Sequence, residues 1–199
     1  MPAPGCVRTS GSDPARPGDR STPTWGPRPP PVEPQLQHLD QALFDRVAAE
    51  AASSPRLRRN HNLHAEPDAV QRFLNVLQPG TYVRPHRHQR EIPGTGFECF
   101  VVLQGAIGLL LLEQDGRVIG RERLDAAGPL KGIQLAEGQI HTLVALTADA
   151  VMFEVKQGPY VPTADKDFLA GFPLEGSPEA AVQERAWRAL FEPPSGLGV

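Results

Sequence analysis

Cysteine is scarce in this chain of 199 residues, with Cys6 and Cys99 as its two thiols. A disulfide framework is therefore not expected, and a reducing, cytoplasmic setting is the default. Basic charge is not in excess either, since 20 Lys and Arg face 23 Asp and Glu and the formal net charge is -3. No global positive field is available to hold nucleic acid or an anionic membrane, so neither is expected as a partner. No apolar run approaches the ~20 residues of a spanning helix, and the first residues carry no apolar stretch of a secretory signal. A glycine-rich phosphate cradle, a nucleophile elbow and a Cys-X-X-Cys pair are all missing. The length and a 40% hydrophobic content do allow one domain with a sizeable core, plus tails.

Residues 1–34, "MPAPGCVRTSGSDPARPGDRSTPTWGPRPPPVEP", are rich in proline, glycine, serine and arginine. Such a composition buries too little apolar surface to offset its ordering entropy, so this segment is expected to be disordered. Order begins with "LQHLDQALFDRVAAEAA", where Leu36, Leu39, Leu43, Phe44 and Val47 recur at helical spacing. Pro55 closes that helix, and "RLRRNHNLH" reads as a polar connector. The ordered domain is expected over 35–178, with a C-terminal helix and tail over 179–199. In that last helix, "EAAVQERAWRALF", Val182, Ala186, Trp187 and Leu190 form an apolar stripe suited to a barrel mouth or a dimer seam.

From Val70 onward the period becomes that of strands. "VQRFLNVL", "TYVRP", "FECFVVLQ", "AIGLLLLE", "RVIGRERL", "KGIQLA", "IHTLVALT" and "AVMFEVKQ" are short runs rich in Val, Ile, Leu and Phe. Turn residues separate them, among them Pro79-Gly80, Gly105 and Asp115-Gly116. About eight close-spaced strands with almost no helix between them predict an all-β antiparallel sandwich or barrel, with a jelly roll as the natural candidate. Exposed strand edges and an uncovered sheet face would then favour a homodimer.

The chemistry concentrates in "GTYVRPHRHQREIPGTGFECFVVLQG", from Gly80 to Gly105. Residues two apart on a strand share a face, so His86 and His88 point together. Glu98 opens the next strand, and "AEGQIHTLVAL" supplies His141 just after a turn glycine. Three neutral imidazoles and a carboxylate suit one divalent transition metal ion and leave coordination positions open. A lone His-X-His is more often a surface feature. Here it is accompanied by a glycine before it, a glutamate opening an apolar strand, a closing glycine and a separate Gly-X-X-His, and these together favour metal. The ligand set accepts Fe, Mn, Ni, Co or Zn alike.

"GTYVRPHRH", "ECFVVLQG" and "AEGQIH" resemble the two metal motifs of the cupin superfamily. The flanking "RRNHNLH", "LQPGTYVRPHRH", "FEVKQGPYVPTADKDFL" and "LFDRVAAEAASSPR" are similar to the WbuC-type cupin metalloproteins found with O-antigen genes, over roughly residues 36–180. The resemblance implies a cupin jelly roll with a flanking helix at each end, in which His86, His88, Glu98 and His141 match the family ligands. It also implies a loose link to surface polysaccharide chemistry. Two departures stand out. Nine residues separate His88 from Glu98 where three or four are usual, and Ala136 replaces a usual proline.

Around the metal, Tyr82 and Arg84 are expected to point into the barrel, and Arg72 and Lys156 to add positive charge for a carboxylate or phosphate. Asn62 and His64 match a recurrent family segment, and Tyr160 is placed to cover the mouth. Glu154 and Lys156, taken singly, read slightly better as solvent-facing. The small-molecule ligand is left open between three classes of protein. One is a metal-dependent enzyme acting on a small polar, sugar-derived molecule, with Glu154 or His64 as the sequence-visible bases. The second is an Fe(II) dioxygenase. The third is a non-catalytic binding protein that keeps its metal for stability.

Glu91 competes with Glu98 for the ligand role, but it lies among Pro93, Gly94 and Gly96, a lip expected to be too mobile to hold a ligand. Glu98→Gln should weaken metal binding sharply while Glu91→Gln retains it, as read by titration against a competing chelator. The reverse order would move the ligand into the loop.

Overall fold

A computed structural model describes residues 36–160 and 166–193. The expectation for residues 1–34 lies outside the described residues. The first helix, α1 (Gln41–Ser53), starts later than its apolar spacing suggests. Asp40 takes the N-cap, its carboxylate accepting the Leu43 N–H at 2.9 Å. A short acidic side chain satisfies a free N–H better there than within a helix. Leu36 and Leu39 thus stay outside α1 and exposed, while Phe44, Val47, Ala48 and Ala51 form its buried stripe.

Among the described residues ten strands follow: β1 (Arg58–Asn62), β2 (Val70–Leu77), β3 (His86–Arg87), β4 (Glu98–Gln104), β5 (Ala106–Leu112), β6 (Val118–Asp125), β7 (Gly132–Leu135), β8 (His141–Ala145), β9 (Ala150–Gln157) and β10 (Asp167–Phe168). They form two antiparallel sheets of five, ordered β1-β2-β9-β4-β7 and β10-β3-β8-β5-β6. From β2 to β9 the chain changes sheet at every connection except β5–β6, which gives a jelly-roll sandwich of four strands on each side. β1 and β10 extend its two edges.

β1 was the polar connector of the sequence reading. Its five residues, RRNHN, carry no apolar alternation. They pair along β2 from Arg58↔Leu77 to Asn62↔Phe73, and α1 packs beside them. Conversely, "TYVRP" carries β-forming residues but makes no ladder, and only His86 and Arg87 pair after it. β5 shows why alternation can vanish in a true strand. Ile107 and Leu109 face the sandwich interior while Leu110 and Leu112 face the opposite layer, so both faces are dry. Gly105, at φ 68°, makes the corner between β4 and β5, where a Cβ would lie 2.3 Å from Thr147 Oγ1.

Three apolar layers result. Leu77, Phe100, Val102, Leu109, Leu143 and Met152 belong to the interior core between the sheets. α1 covers Leu74, Val76 and Val151 on one outer face. The second helix, α2 (Pro178–Ala189), contributes Ala180 and Trp187 to the layer with Leu110, Leu112 and Val144 on the other. α2 therefore seals an outer sheet face rather than the mouth. Val182 and Leu190 are exposed, and the buried stripe is Ala180, Glu184 and Trp187. Glu184 is tolerated there because it accepts from Arg188 Nε at 3.1 Å and from the Gly80 N–H at 3.3 Å. Among the described residues, no helix is long and apolar enough to cross a membrane.

Trp187 stacks on Tyr82 with ring centroids 5.7 Å apart and a 4° interplanar angle. Trp187→Ala should cost about 3–5 kcal/mol of stability, measured by urea unfolding. A loss under about 1 kcal/mol, the range of ordinary surface substitutions, would mean that α2 does not anchor this layer.

Candidate metal centre

The two sheets bring four side chains to one point. His86 and His141 are direct partners across β3 and β8, with ring centroids 4.6 Å apart. His88 follows β3, and its carbonyl accepts the Gly138 N–H at 2.9 Å, tying it to the turn that precedes His141. Glu98 comes from the opposite sheet, at the start of β4. All four are buried, and one ligand atom from each lies within 4.8 Å of all the others. Phe100, next on the same face of β4, packs its ring 6.0 Å from that of His141. Glu91 is exposed on the loop and takes no part in this group.

The hydrogen bonds fix the protons. His86 Nδ1 lies 2.9 Å from the Arg84 carbonyl and His141 Nδ1 3.0 Å from the Gln139 carbonyl. A carbonyl only accepts, so both Nδ1 atoms carry hydrogen, which leaves Nε2 as the ligand atom whenever the ring is neutral. Burial, then the nearby Lys166, holds His86 well below the usual imidazole range and so neutral. Burial pushes the Glu98 carboxyl up, but the His141 and His88 imidazoles more than reverse this, holding it well below the carboxylate range.

His141 Nε2 is 3.0 Å from Glu98 Oε2, and His88 Nε2 is 2.9 Å from Glu98 Oε1. Neither contact is aligned as a hydrogen bond, and Glu98 Oε2 and both nitrogens of His88 are buried without a partner. Unpartnered nitrogen and oxygen atoms converging in a buried site fit a divalent cation.

Three of the four, His86, Glu98 and His141, lie in the wall of a cavity of about 650 Å³, which Asn62, His64, Arg84, Lys156 and Tyr160 also line. Two of the sequence candidates are elsewhere. Arg72 has the opposite parity on β2 from the cavity-facing Gln71 and Phe73, and it pairs with Asp68 at 2.7 Å. Tyr82 precedes the ladder and turns the other way, stacking on Trp187 and donating to the Pro173 carbonyl at 3.1 Å. His64 is fixed by the Arg72 N–H, which donates to its Nδ1 at 3.0 Å.

Glu154 and Lys156 are buried in the cavity wall rather than facing solvent. Glu154 accepts from Asn75 Nδ2 and lies 3.8 Å from Lys156 Nζ. Burial, then the Glu98 carboxylate, pushes it up to about 8. The sequence reading missed Glu137. Its carboxylate accepts the N–H of Arg90 at 2.9 Å and that of Gly94, and so organises the lip between His88 and Glu98. Only the adjacent Gly138 turn signal hinted at a role there.

The model of a family described as "Domain of unknown function (DUF6016)" matches residues 39–124, a span holding His86, His88 and Glu98 but not His141. No curated protein matches. The chain is similar to KdgF from Halomonas sp. at 20% identity, over 56% of this chain and 86% of that one, with a TM-score of 0.42. It is also similar to a cupin superfamily protein from Desulfitobacterium hafniense DCB-2 at 16% identity, over 62% and 93% of the two chains, with a TM-score of 0.43. A third similarity, at 16% identity, is to oxalate decarboxylase from Bacillus subtilis, over 52% of this chain and 24% of that one, with a TM-score of 0.40.

His86 and Glu154, two perturbed groups in the cavity wall, act on stability in opposite directions. His86, depressed below 6.5, contributes stability that is lost as pH falls below about that value. Glu154, raised from 4.5 to about 8, contributes stability that is lost as pH rises across that interval. Melting curves of the chelator-treated protein should therefore show Glu154→Gln gaining on the native chain as pH climbs from 5 to 8. A difference independent of pH would contradict this assignment.

Proposed function

We propose that this chain is a metal-dependent enzyme of cupin type acting on a small polar molecule. The observation that carries the reading is the convergence of four buried ligand atoms, two of them hydrogen-bond orphans, with three of the four residues in the wall of a cavity large enough for a metabolite. His86, His88, Glu98 and His141 would hold one divalent transition metal. When bound, such an ion supplies a Lewis acid able to polarise a carbonyl or hydroxyl.

The chain's other residues supply the rest of an active site. Glu154 is buried in the cavity wall, held by Asn75 and close to Lys156, and is the group placed to take or give a proton. Phe100 and Leu143 line the cavity beside the ligands and keep that part of the wall dry. Lys156 lies opposite Glu98 across β4 and β9. The WbuC-like flanks make sugar-derived molecules the first class to screen.

Element analysis of the full chain, purified without added metal, should find close to one divalent transition ion per chain. Cobalt(II) substitution should give a visible spectrum that changes on adding azide, which reports an exchangeable position. A chain that neither retains metal nor takes up cobalt would end the metal reading. A cobalt spectrum indifferent to azide would end the enzymatic one.

A further inference from the structure

Among the described residues, Arg84 is an arginine held in place without a counter-charge. Its Nη2 donates to the Leu169 carbonyl at 3.0 Å, and its guanidinium lies 5.1 Å over the ring of Phe168. No carboxylate pairs with it among the described residues, and its Nε is buried with no acceptor. The same side chain lines the cavity, two residues before His86. A fixed guanidinium with an unsatisfied donor is pre-organised for an anionic oxygen, because the ordering cost is met before the ligand arrives.

The field of the cavity points the same way. Six Arg and Lys side chains line it against four carboxylates, and one of those four is the ligand Glu98. A second, Glu175, is shared between Arg56 and Arg58, each at 2.7 Å. A low-dielectric cleft with this balance concentrates anions. Another part of the cavity wall is different, because β1 places Asn60 and Asn62 there, two residues apart on one face. A carboxamide both donates and accepts, as a hydroxyl does, so this edge suits a ligand rich in hydroxyl groups.

We propose that the cavity takes a small hydroxycarboxylate, with its carboxylate on Arg84 and its hydroxyls along Asn60 and Asn62. The proposal rests on the metal reading in that it places this molecule beside the four ligands. Calorimetric titration of the metal-loaded full chain with gluconate tests it, against sorbitol, which has the hydroxyls alone, propionate, which has the carboxylate alone, and inorganic phosphate. Gluconate should bind at least about tenfold more tightly than any of the three.

Arg84→Gln should weaken gluconate at least about tenfold, with Arg84→Lys in between, because charge without the planar fork restores only part of the grip. Metal content should be unchanged in both, since the main-chain carbonyl of residue 84 holds His86. Arg72→Gln, outside the cavity, should bind gluconate as the native chain does. The proposal is overturned if gluconate does not bind, if sorbitol or phosphate binds as well, or if Arg84→Gln is indifferent. Loss of metal from Arg84→Gln also overturns it, by showing a supporting role for the side chain. If the native chain holds no metal, the metal reading alone falls, and the same titrations on the metal-free protein decide Arg84.

Discussion

Everything near the site depends on one unfavourable approach. Nitrogens of His88 and His141 face the oxygens of the buried Glu98 carboxylate at 2.9 and 3.0 Å with neither contact aligned as a hydrogen bond, and the Nδ1 hydrogen of His141 is turned toward a main-chain carbonyl. Left alone, each unsatisfied buried group costs about 1–3 kcal/mol. The interior core opposes that cost, because each large side chain fully buried between the sheets contributes about 1.5–3 kcal/mol. Leu109, Leu124, Phe100 and Met152 are all at or below 1% exposure, so packing holds the sheets together whether or not the ligands attract. The binding site is built by the core, and a cation would relieve what the core imposes.

The strand registers show how one sandwich holds a polar site and a dry core on a single inner face. Across β2, β9 and β4, the row nearest the mouth is Gln71, Lys156 and Glu98. The next row is Phe73, Glu154 and Phe100, and the third is Asn75, Met152 and Val102. Leu77 and Ala150 come below. Polarity thus falls row by row into the barrel. Glu154 is the last ionisable group on β9 before the apolar floor, which is why burial raises it while Glu98, one row nearer the mouth, is held ionised by imidazoles.

That gradient also explains what could be read from sequence. Period-two alternation and turn glycines mark the core strands, since there one face must be dry and the hydrophobic pattern reports it. The His-X-His, the following glutamate and the later histidine stand out because their residue types are costly to bury unless they share a purpose. β1 was invisible because its inner face lines the cavity and its residues are Arg, Asn and His, so no apolar period exists to find. Tyr82 was misplaced by extending the strand parity of His86 backwards through "TYVRP", where no ladder fixes the alternation. Arg72 failed differently. Its strand is real, but which face met the cavity could be decided only by the partner strand.

The long gap between His88 and Glu98 looks at first like a weakness in the site, since a longer loop ordinarily holds its ends less firmly. The structure turns it into a brace. Glu137 reaches from the turn before His141 to collect N–H groups of the lip, and Gly138 returns a hydrogen bond to the His88 carbonyl. Gly96 makes this close meeting possible, for a Cβ there would sit 2.6 Å from the His88 carbonyl oxygen and 2.7 Å from Glu137 Cγ. The carboxylate is held below its usual range by those main-chain donors, so it stays charged and bound across the neutral pH range. The inserted residues are thereby fastened to the same turn that positions His141. The loop joining two ligands is braced by the segment that carries a third, so the insertion lengthens the chain between His88 and Glu98 without loosening the centre they share.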